Sequence, residues 1–146
     1  MGSLASGIRI RILSSMDPTI RIIPLPRDTN EQGTIFGGVI LSYIDLAGAA
    51  EVRKTTTKRV VTVSIKEVIF REPVCVGDLV SFYTTTERVG TTSITVKVEV
   101  EAQRRRNPDE RVRVTEATVV FVAVDEKGKP IPVRDPSQTL RKKKTV

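Results

Sequence analysis

Residues 36–53 constrain the fold most, because they are apolar almost all the way round a helix. Apolar side chains occupy most positions from 39 to 50, and Glu51 closes the stretch. The basic residues Arg53 and Lys54 suit the negative end of a helix dipole. No uninterrupted apolar run in the chain approaches the roughly 18 residues of a membrane span, so a helix this apolar is expected to be covered by protein. We therefore predict one central, buried helix over residues 36–53.

Almost everything outside this helix predicts strands. A short strand over residues 19–23 precedes the helix. β-branched residues between turn signals predict four long antiparallel strands after it, over residues 60–70, 79–88, 94–102 and 111–124. The last strand ends in a run that is apolar on both faces, which indicates a strand that is central in the sheet. This order predicts an α+β fold in which an antiparallel sheet wraps around one long helix.

Such an open sheet leaves an unpaired edge in a monomer. Edge-to-edge dimerisation is the simplest way to cover it, so we expect a homo-oligomer.

The length of 146 residues suits one domain. We divide the chain into an N-terminal leader over residues 1–18, the folded domain over 19–133 and a basic tail over 134–146. The first six residues formally fit a myristoylation pattern. We prefer an added or upstream leader, with Met16 as an alternative start.

The chain contains no histidine and a single cysteine, Cys75. Because histidine is the usual general base near neutral pH, Ser-His-Asp and Cys-His mechanisms are excluded within one chain. A zinc site is not expected either. Any catalysis must use carboxylates, amides, hydroxyls, backbone N–H groups or lysine.

The lone Cys75 cannot form an intramolecular disulfide, which indicates a reducing, cytoplasmic setting. We interpret Cys75 itself as a small buried apolar residue.

The formal net charge of +7 favours anionic partners. Nucleic acid and a phosphorylated small molecule are both candidates. The absence of tryptophan leaves few side chains on which bases can stack, so nucleic acid rests on charge alone. The excess charge lies in residues 104–106 and 141–144, and the first cluster is either a solvated hairpin tip or a phosphate site.

Asp45 is the residue that stands out for chemistry. It lies between Ile44 and Leu46 in the helix predicted to be buried. An ionised carboxylate is costly there unless it is hydrogen-bonded, paired or facing a cavity. Asp45 is therefore either functional or part of a narrow polar strip with Ser42 and Gly38.

Two further features flank the helix start. Gly37 and Gly38 expose N–H groups that lie along the helix dipole, so they suit an anion or oxyanion, although tight packing explains them more simply. Asn30 lies in the preceding loop, where an amide most often forms an Asx-turn.

Six segments together resemble one enzyme family. They are PRDTNEQGTIFGG over residues 26–38, SYID over 42–45, RVVTV over 59–63, PVCVGD over 73–78, VGTTSI over 89–94 and VAVD over 122–125. In this order they resemble the hotdog-fold acyl-CoA thioesterases, most closely the YciA-like acyl-CoA hydrolases. The resemblance covers about residues 20 to 133.

The resemblance implies a hotdog fold that assembles into dimers with joined sheets, often as a hexameric trimer of dimers, with active sites at the dimer interface. It implies that Asp45 is the catalytic carboxylate and that Asn30 is its partner near the thioester and water. It also implies that the N–H groups of Gly37 and Gly38 face the thioester oxygen. The carboxylate would act as a general base on water or as a nucleophile that forms a mixed anhydride.

The resemblance further implies coenzyme A contacts and a substrate class. The turn that would meet coenzyme A comprises Gly90, Thr91, Thr92 and Ser93. The arginines that could dock the coenzyme A phosphates are Arg104, Arg105 and Arg106. The implied activity is hydrolysis of a fatty or short-chain acyl-CoA to free acid and coenzyme A, with no cofactor, nucleic acid or membrane as partner.

The main alternative is a non-catalytic regulatory protein that binds acyl-CoA on the same fold. We favour the enzyme because a mere binder gains nothing from a buried carboxylate. The chain also departs from its relatives at Ile69, where a polar residue is common, and at Val39, where a larger side chain is common. Acyl preference therefore does not transfer.

Overall fold

The computed structural model describes residues 16–136. Within them, one helix packs against one five-stranded antiparallel sheet, which confirms the predicted α+β class. The elements are β1 (Ile20–Ile22), a 3-10 turn (Pro26–Asp28), α1 (Gly37–Val52), β2 (Val60–Lys66), β3 (Leu79–Val89), β4 (Ser93–Gln103) and β5 (Arg111–Ala123). Most of the predicted leader and the basic cluster at 141–144 lie outside the described residues.

The strand order is β1-β3-β4-β5-β2. β5 is flanked on both sides, as its apolar faces predicted, although β4 is the middle strand. Among residues 16–136, β2 pairs only with β5, and no described strand lies at its other edge. Val61 and Val63 on this strand are 38% and 54% exposed. An apolar free edge of this kind is a surface that proteins normally cover.

β2 is shorter than predicted. It ends at Lys66 instead of continuing to Phe70, because Glu67 adopts a φ of 60° that an extended strand does not allow. The chain from 67 to 70 then leaves the sheet and brings Phe70 to the helix start.

The prediction that α1 is covered on all sides was wrong for a single chain. Ile40, Ile44 and Ala47 are buried against the sheet, but Leu46 is 57% exposed. The physical reason is that one sheet covers only one side of a helix. The opposite side of α1, together with the free edge of β2, remains apolar and uncovered.

Gly48 sets how closely α1 approaches β5. A Cβ atom at this position would lie 2.9 Å from the Phe121 ring, closer than carbon atoms approach without strain. The missing side chain therefore allows the helix to lie directly against Phe121.

A β-bulge in β2 controls which side chains face the helix. Thr62 pairs with Phe121 and Ile65 pairs with Val119, both of which are buried, and the register shifts between them. Val63 is the extra residue. In an unbroken strand, residues 62 and 65 would point to opposite faces, so the bulge is what allows both to face α1.

Glu51, near the C-terminal end of α1, is a buried carboxylate that the sequence marked only as the end of the apolar stretch. It is 6% exposed and accepts hydrogen bonds from the hydroxyls of Thr84 at 2.9 Å and Thr86 at 3.2 Å. The Lys54 ammonium lies 2.8 Å away. Burial acts to raise the pKa of Glu51, but the contacts with Lys54, Thr84 and Thr86 outweigh it and hold the pKa below the usual 4.5.

This shift predicts a pH-dependent stability. A carboxyl group with a lowered pKa in the folded chain stabilises the fold above its unfolded-state pKa, and the contribution is lost as the pH falls through the folded-state value. We expect Glu51→Gln to lower the free energy of unfolding near neutral pH and to flatten its fall in acid. Urea unfolding between about pH 7 and about pH 3 measures this.

Glu101 is a second buried carboxylate, and its pKa is shifted in the opposite direction from that of Glu51. It is 4% exposed on β4, and burial raises its pKa even though Arg111 and Arg113 act to lower it. Its contribution is therefore present in acid and lost as the pH rises through the folded-state value. If Glu51→Gln and Glu101→Gln changed the pH dependence of the free energy of unfolding in the same direction, the opposite pKa shifts of Glu51 and Glu101 would be wrong.

Candidate active site

Asp45 lies on α1 beside the free-edge strand. It is half-buried and not fully buried as predicted, because its side of the helix is uncovered in one chain. The hydroxyl of Thr62 donates a hydrogen bond of 2.6 Å to its Oδ1 atom. Ser42 does not donate to Asp45, since its hydroxyl donates to the backbone oxygen of Val39 at 2.7 Å. Within residues 16–136, Oδ2 of Asp45 has no hydrogen-bond partner.

The start of α1 carries no side-chain cap. Phe36 is the N-cap residue, and no side chain within residues 16–136 accepts a hydrogen bond from the first turn. The N–H groups of Gly37 and Gly38 have no acceptor within the helix, because the first N–H groups of any α-helix lack one. These donors, at the positive end of the helix dipole, are suited to hold a carbonyl oxygen that gains negative charge.

The two glycines differ in what surrounds them. A Cβ atom on Gly38 would lie 2.5 Å from the Phe36 ring, so a larger residue would displace this ring. A Cβ atom on Gly37 would meet Phe70 at 3.5 Å, an ordinary contact. A side chain at 38 would therefore require the exposed Phe36 ring to move, whereas one at 37 would meet only an ordinary contact.

Asn30 holds the loop that leads into α1. Its Oδ1 accepts hydrogen bonds from the backbone N–H groups of Gln32 at 2.9 Å and Thr34 at 3.2 Å. Its Nδ2 donates to the Thr34 hydroxyl at 3.0 Å. This is the Asx-type arrangement expected from the sequence. The catalytic role of Asn30 stays a prediction.

The predicted carboxylate and the predicted oxyanion donors do not meet within one chain. Eight residues separate Gly37 from Asp45 on α1, which corresponds to about 12 Å along the helix axis. A base that acts directly on a bound group must lie within about 3 Å, or one water molecule further.

A cavity of about 290 Å³ opens beside the helix start. Its walls are largely apolar, with Ile35, Ile40, Phe70 and Val74 among the lining residues, and Gly37 lies at its border. Phe70 is 44% exposed, so its ring forms an outer wall.

The arginine cluster divides into one internal and two surface side chains. Arg104 Nη1 lies 2.6 Å from Oδ2 of Asp78, which is 2% exposed, and also donates to the backbone oxygen of Pro73 at 3.0 Å. The same Asp78 oxygen accepts the N–H of Cys75 at 2.8 Å. Asp78 is therefore both the turn residue that the sequence indicated and half of a buried ion pair, which the sequence did not reveal. Cys75 is half-buried, not buried as predicted.

Arg105 and Arg106 are exposed and line a cavity of about 450 Å³ together with Glu110 and Val76. The other predicted coenzyme A contact, the turn of residues 90–93, is closed by a 2.7 Å hydrogen bond from Gly90 N–H to the Ser93 backbone oxygen. It lies at the opposite end of β4, about 33 Å away. One chain therefore does not bring these two groups together.

The described residues 16–136 contain no group of three or more cysteine, aspartate or glutamate side chains placed to hold a metal ion. None of the helical stretches there is long and apolar enough to cross a membrane.

Comparison with known proteins gives the family. The model of the thioesterase superfamily matches residues 32–108. The acyl-CoA thioester hydrolase YciA of Salmonella typhimurium is 38% identical over 129 residues, which span 83% of this chain and 97% of that protein. The chain belongs to the thioesterase superfamily.

Solved structures of the superfamily agree with the architecture. A hexameric hotdog fold thioesterase of Campylobacter jejuni superimposes with a TM-score of 0.77 at 44% identity, over 86% of this chain and 96% of that one. HI0827, a hexameric broad specificity acyl-coenzyme A thioesterase, superimposes with a TM-score of 0.75 at 38% identity. The match covers 88% of this chain and 89% of that one. The predicted hotdog fold is confirmed.

Proposed function

We propose that this protein hydrolyses acyl-CoA thioesters to a free acid and coenzyme A. The observation that carries the proposal is the Asp45 carboxylate, with one oxygen held by Thr62 and the other free. Superfamily membership and the activities named for relatives such as YciA support the same reaction. The proposal includes a cytoplasmic location, in keeping with the single unpaired cysteine.

A second copy of the chain would complete the site. The separation of about 12 Å along α1 argues that the Asp45 of one copy serves a thioester held at the helix start of another. Leu46 on α1 and Val61 and Val63 on β2 are apolar and exposed, so both elements that flank Asp45 offer apolar surface to a second copy. The related structures are hexamers, so we propose a dimer at least, built further into a trimer of dimers.

The chemistry follows from the groups available. Asp45 takes a proton from water, the oxygen of which attacks the thioester carbonyl carbon, and the N–H groups of Gly37 and Gly38 stabilise the tetrahedral oxyanion. Collapse of this intermediate breaks the carbon–sulfur bond, and the sulfur leaves with the proton. In the alternative, the Asp45 carboxylate itself attacks the carbonyl carbon, the carbon–sulfur bond breaks and coenzyme A leaves as its thiolate, and water then hydrolyses the resulting mixed anhydride to the free acid and the Asp45 carboxylate. Both routes are free of imidazole, and Asn30 would orient the water or the carbonyl.

The exposed guanidinium groups of Arg105 and Arg106 are proposed to dock the phosphates of coenzyme A. Arg104 already forms an ion pair with Asp78. It would therefore stabilise the loop that carries Arg105 and Arg106 and would not bind a phosphate itself. The turn of residues 90–93 would contribute from another copy, because it lies at the far end of β4.

The apolar cavity at the helix start is proposed to take the first part of the acyl chain. A thioester oxygen at Gly37 leaves the acyl group next to Ile40 and Phe70. We expect Phe70→Ala to weaken the preference for longer acyl chains, because without the outer wall methylene groups that the ring would cover stay in water, at a cost of about 0.8 kcal/mol for each. The measurement is kcat/KM across a series of straight-chain acyl-CoAs. Leu25→Ala is the matched control, because Leu25 has the same 44% exposure.

The direct test of function is release of free thiol from short, medium and long acyl-CoAs by the purified protein. Release from at least one of them supports the enzyme. Thermal stabilisation by acyl-CoA without any thiol release would instead support the non-catalytic regulator.

A further inference from the structure

We propose that residues 130–135, here called the C-terminal strap, hold the turn of residues 90–93 in the conformation that binds coenzyme A, and that Thr56 is the positioning residue that anchors the strap. The inference rests on the proposed function, in which this turn meets the coenzyme. Thr56 lies in the loop between α1 and β2, 77 positions before the strap residue that it binds.

The C-terminal strap runs along the turn and binds it through the backbone. Beyond the end of β5 the chain reverses, and the N–H of Ile131 donates to the Ala123 oxygen at 2.9 Å. The N–H of Val133 then donates to the Thr91 oxygen at 2.8 Å. The N–H of Ala123 donates to the Thr92 oxygen at 2.9 Å. The strap and β5 together therefore occupy both central carbonyl groups of the turn.

This bonding determines which groups the turn can offer to a ligand. The carbonyl oxygens of Thr91 and Thr92 are occupied, whereas their N–H groups and hydroxyls have no acceptor within residues 16–136. Successive N–H donors suit a phosphate, and an unoccupied carbonyl oxygen among them would repel its negative charge. Loss of the strap would release the Thr91 oxygen beside these donors. The strap therefore keeps the turn suited to an anion.

Thr56 anchors the strap from the side of the helix. It is 8% exposed, and its hydroxyl donates to the backbone oxygen of Val133 at 2.9 Å. Lys58 adds to the anchor: its N–H donates to the Thr56 hydroxyl oxygen at 3.2 Å, and its ammonium lies 2.7 Å from the Pro132 oxygen and 3.0 Å from Asp135. Val133 is 2% exposed, so its oxygen would stay buried without a donor if the Thr56 hydroxyl were removed.

Thr56→Val tests the role, because valine keeps the β-branched shape and removes only the hydroxyl. We expect KM for an acyl-CoA to rise about 10-fold, the effect of one lost hydrogen bond. kcat should change by less than about twofold, since the strap acts on the coenzyme and not on the reacting bond. The N-acetylcysteamine thioester of the same acid carries no phosphate, so its KM should not change. A general loss of structure would not produce this split between the two thioesters.

Two further variants at this loop serve as controls. Thr56→Ser keeps the hydroxyl and should keep KM near the wild-type value. Thr57→Val should have no effect, because Thr57 is the neighbouring, exposed threonine. An unchanged KM for acyl-CoA in Thr56→Val would overturn the proposal, and so would an equal rise in KM for both thioesters.

If the valine variant fails to fold, Lys58→Met and Asp135→Asn decide together. Both weaken the strap, so KM for acyl-CoA should rise in both and KM for the N-acetylcysteamine thioester in neither. Any other pair of results overturns the proposal. In particular, a fall in KM in Asp135→Asn would show that the released Lys58 binds phosphate itself. A wild-type protein inactive on every acyl-CoA would instead sink the proposed function, which is a distinct result.

Discussion

Asp45→Ala is expected to lower kcat for acyl-CoA hydrolysis by about 1,000-fold while the protein stays folded. A carboxylate that acts as general base contributes about 10²- to 10⁴-fold, and the chain has no histidine to replace it. Asp45 is half-buried and bonded by one hydroxyl, so its loss leaves no buried charge unpaired. Thiol release at saturating acyl-CoA measures the effect.

Asp45→Asn separates charge from shape at the same position. Asparagine keeps the size of the side chain and an oxygen that can accept the Thr62 hydroxyl, but it cannot take a proton from water. Activity in the asparagine variant should be as low as in the alanine variant. Wild-type rates in either variant would remove Asp45 from the mechanism. Asp109→Ala, an exposed aspartate in the β4–β5 hairpin, should leave activity unchanged.

Asp78→Ala is expected to lower the free energy of unfolding by about 3–5 kcal/mol, the range observed when one partner of a buried ion pair is removed. Arg104 would keep its charge in a position where its side chain is only 16% exposed. The N–H of Cys75 would lose its acceptor as well. The measurement is urea unfolding at one fixed protein concentration, because assembly couples stability to concentration.

Two variants identify the origin of this loss. Asp78→Asn retains an oxygen for Cys75 N–H but not the charge, so it should be destabilised less than the alanine variant. Arg104→Met removes the charge on the other side and leaves Asp78 buried and unpaired, so a loss similar to that of Asp78→Ala is expected. A change below about 1 kcal/mol in both Asp78→Ala and Arg104→Met would show that the pair does not stabilise this turn.

Much of the fold could be predicted because it depends on local patterns. The alternation of Ile94, Val96 and Val98 with polar residues predicts β4, and all three are buried against α1. Hairpin signals at 89–91 and 107–109 lie between the correct strands. The end of β2 was wrong by four residues, because the left-handed conformation of Glu67 has no sequence signal such as glycine.

Less of the candidate site could be predicted from the sequence. Asp45 could be singled out because a carboxylate in an apolar helix is costly. The hydrogen bond from Thr62 to Asp45 could not be predicted from the sequence. It depends on a β-bulge that determines which face of the sheet Thr62 lies on. Likewise, nothing in the sequence separates Arg104 from Arg105 and Arg106. Only the tertiary structure shows that Arg104 pairs with Asp78.

The sequence by itself determined the secondary structure, the fold class, the family and the exclusion of histidine chemistry, because each depends on residue type and order along the chain. The tertiary structure decided which groups act together. Hydrogen bonds such as Thr62 to Asp45 and Arg104 to Asp78 form between residues 17 and 26 positions apart, at distances set by the packing of a helix and a bulged strand. It also separated Asp45 from the helix start of its own chain, since the rise of a helix carries residues eight positions apart beyond mutual contact.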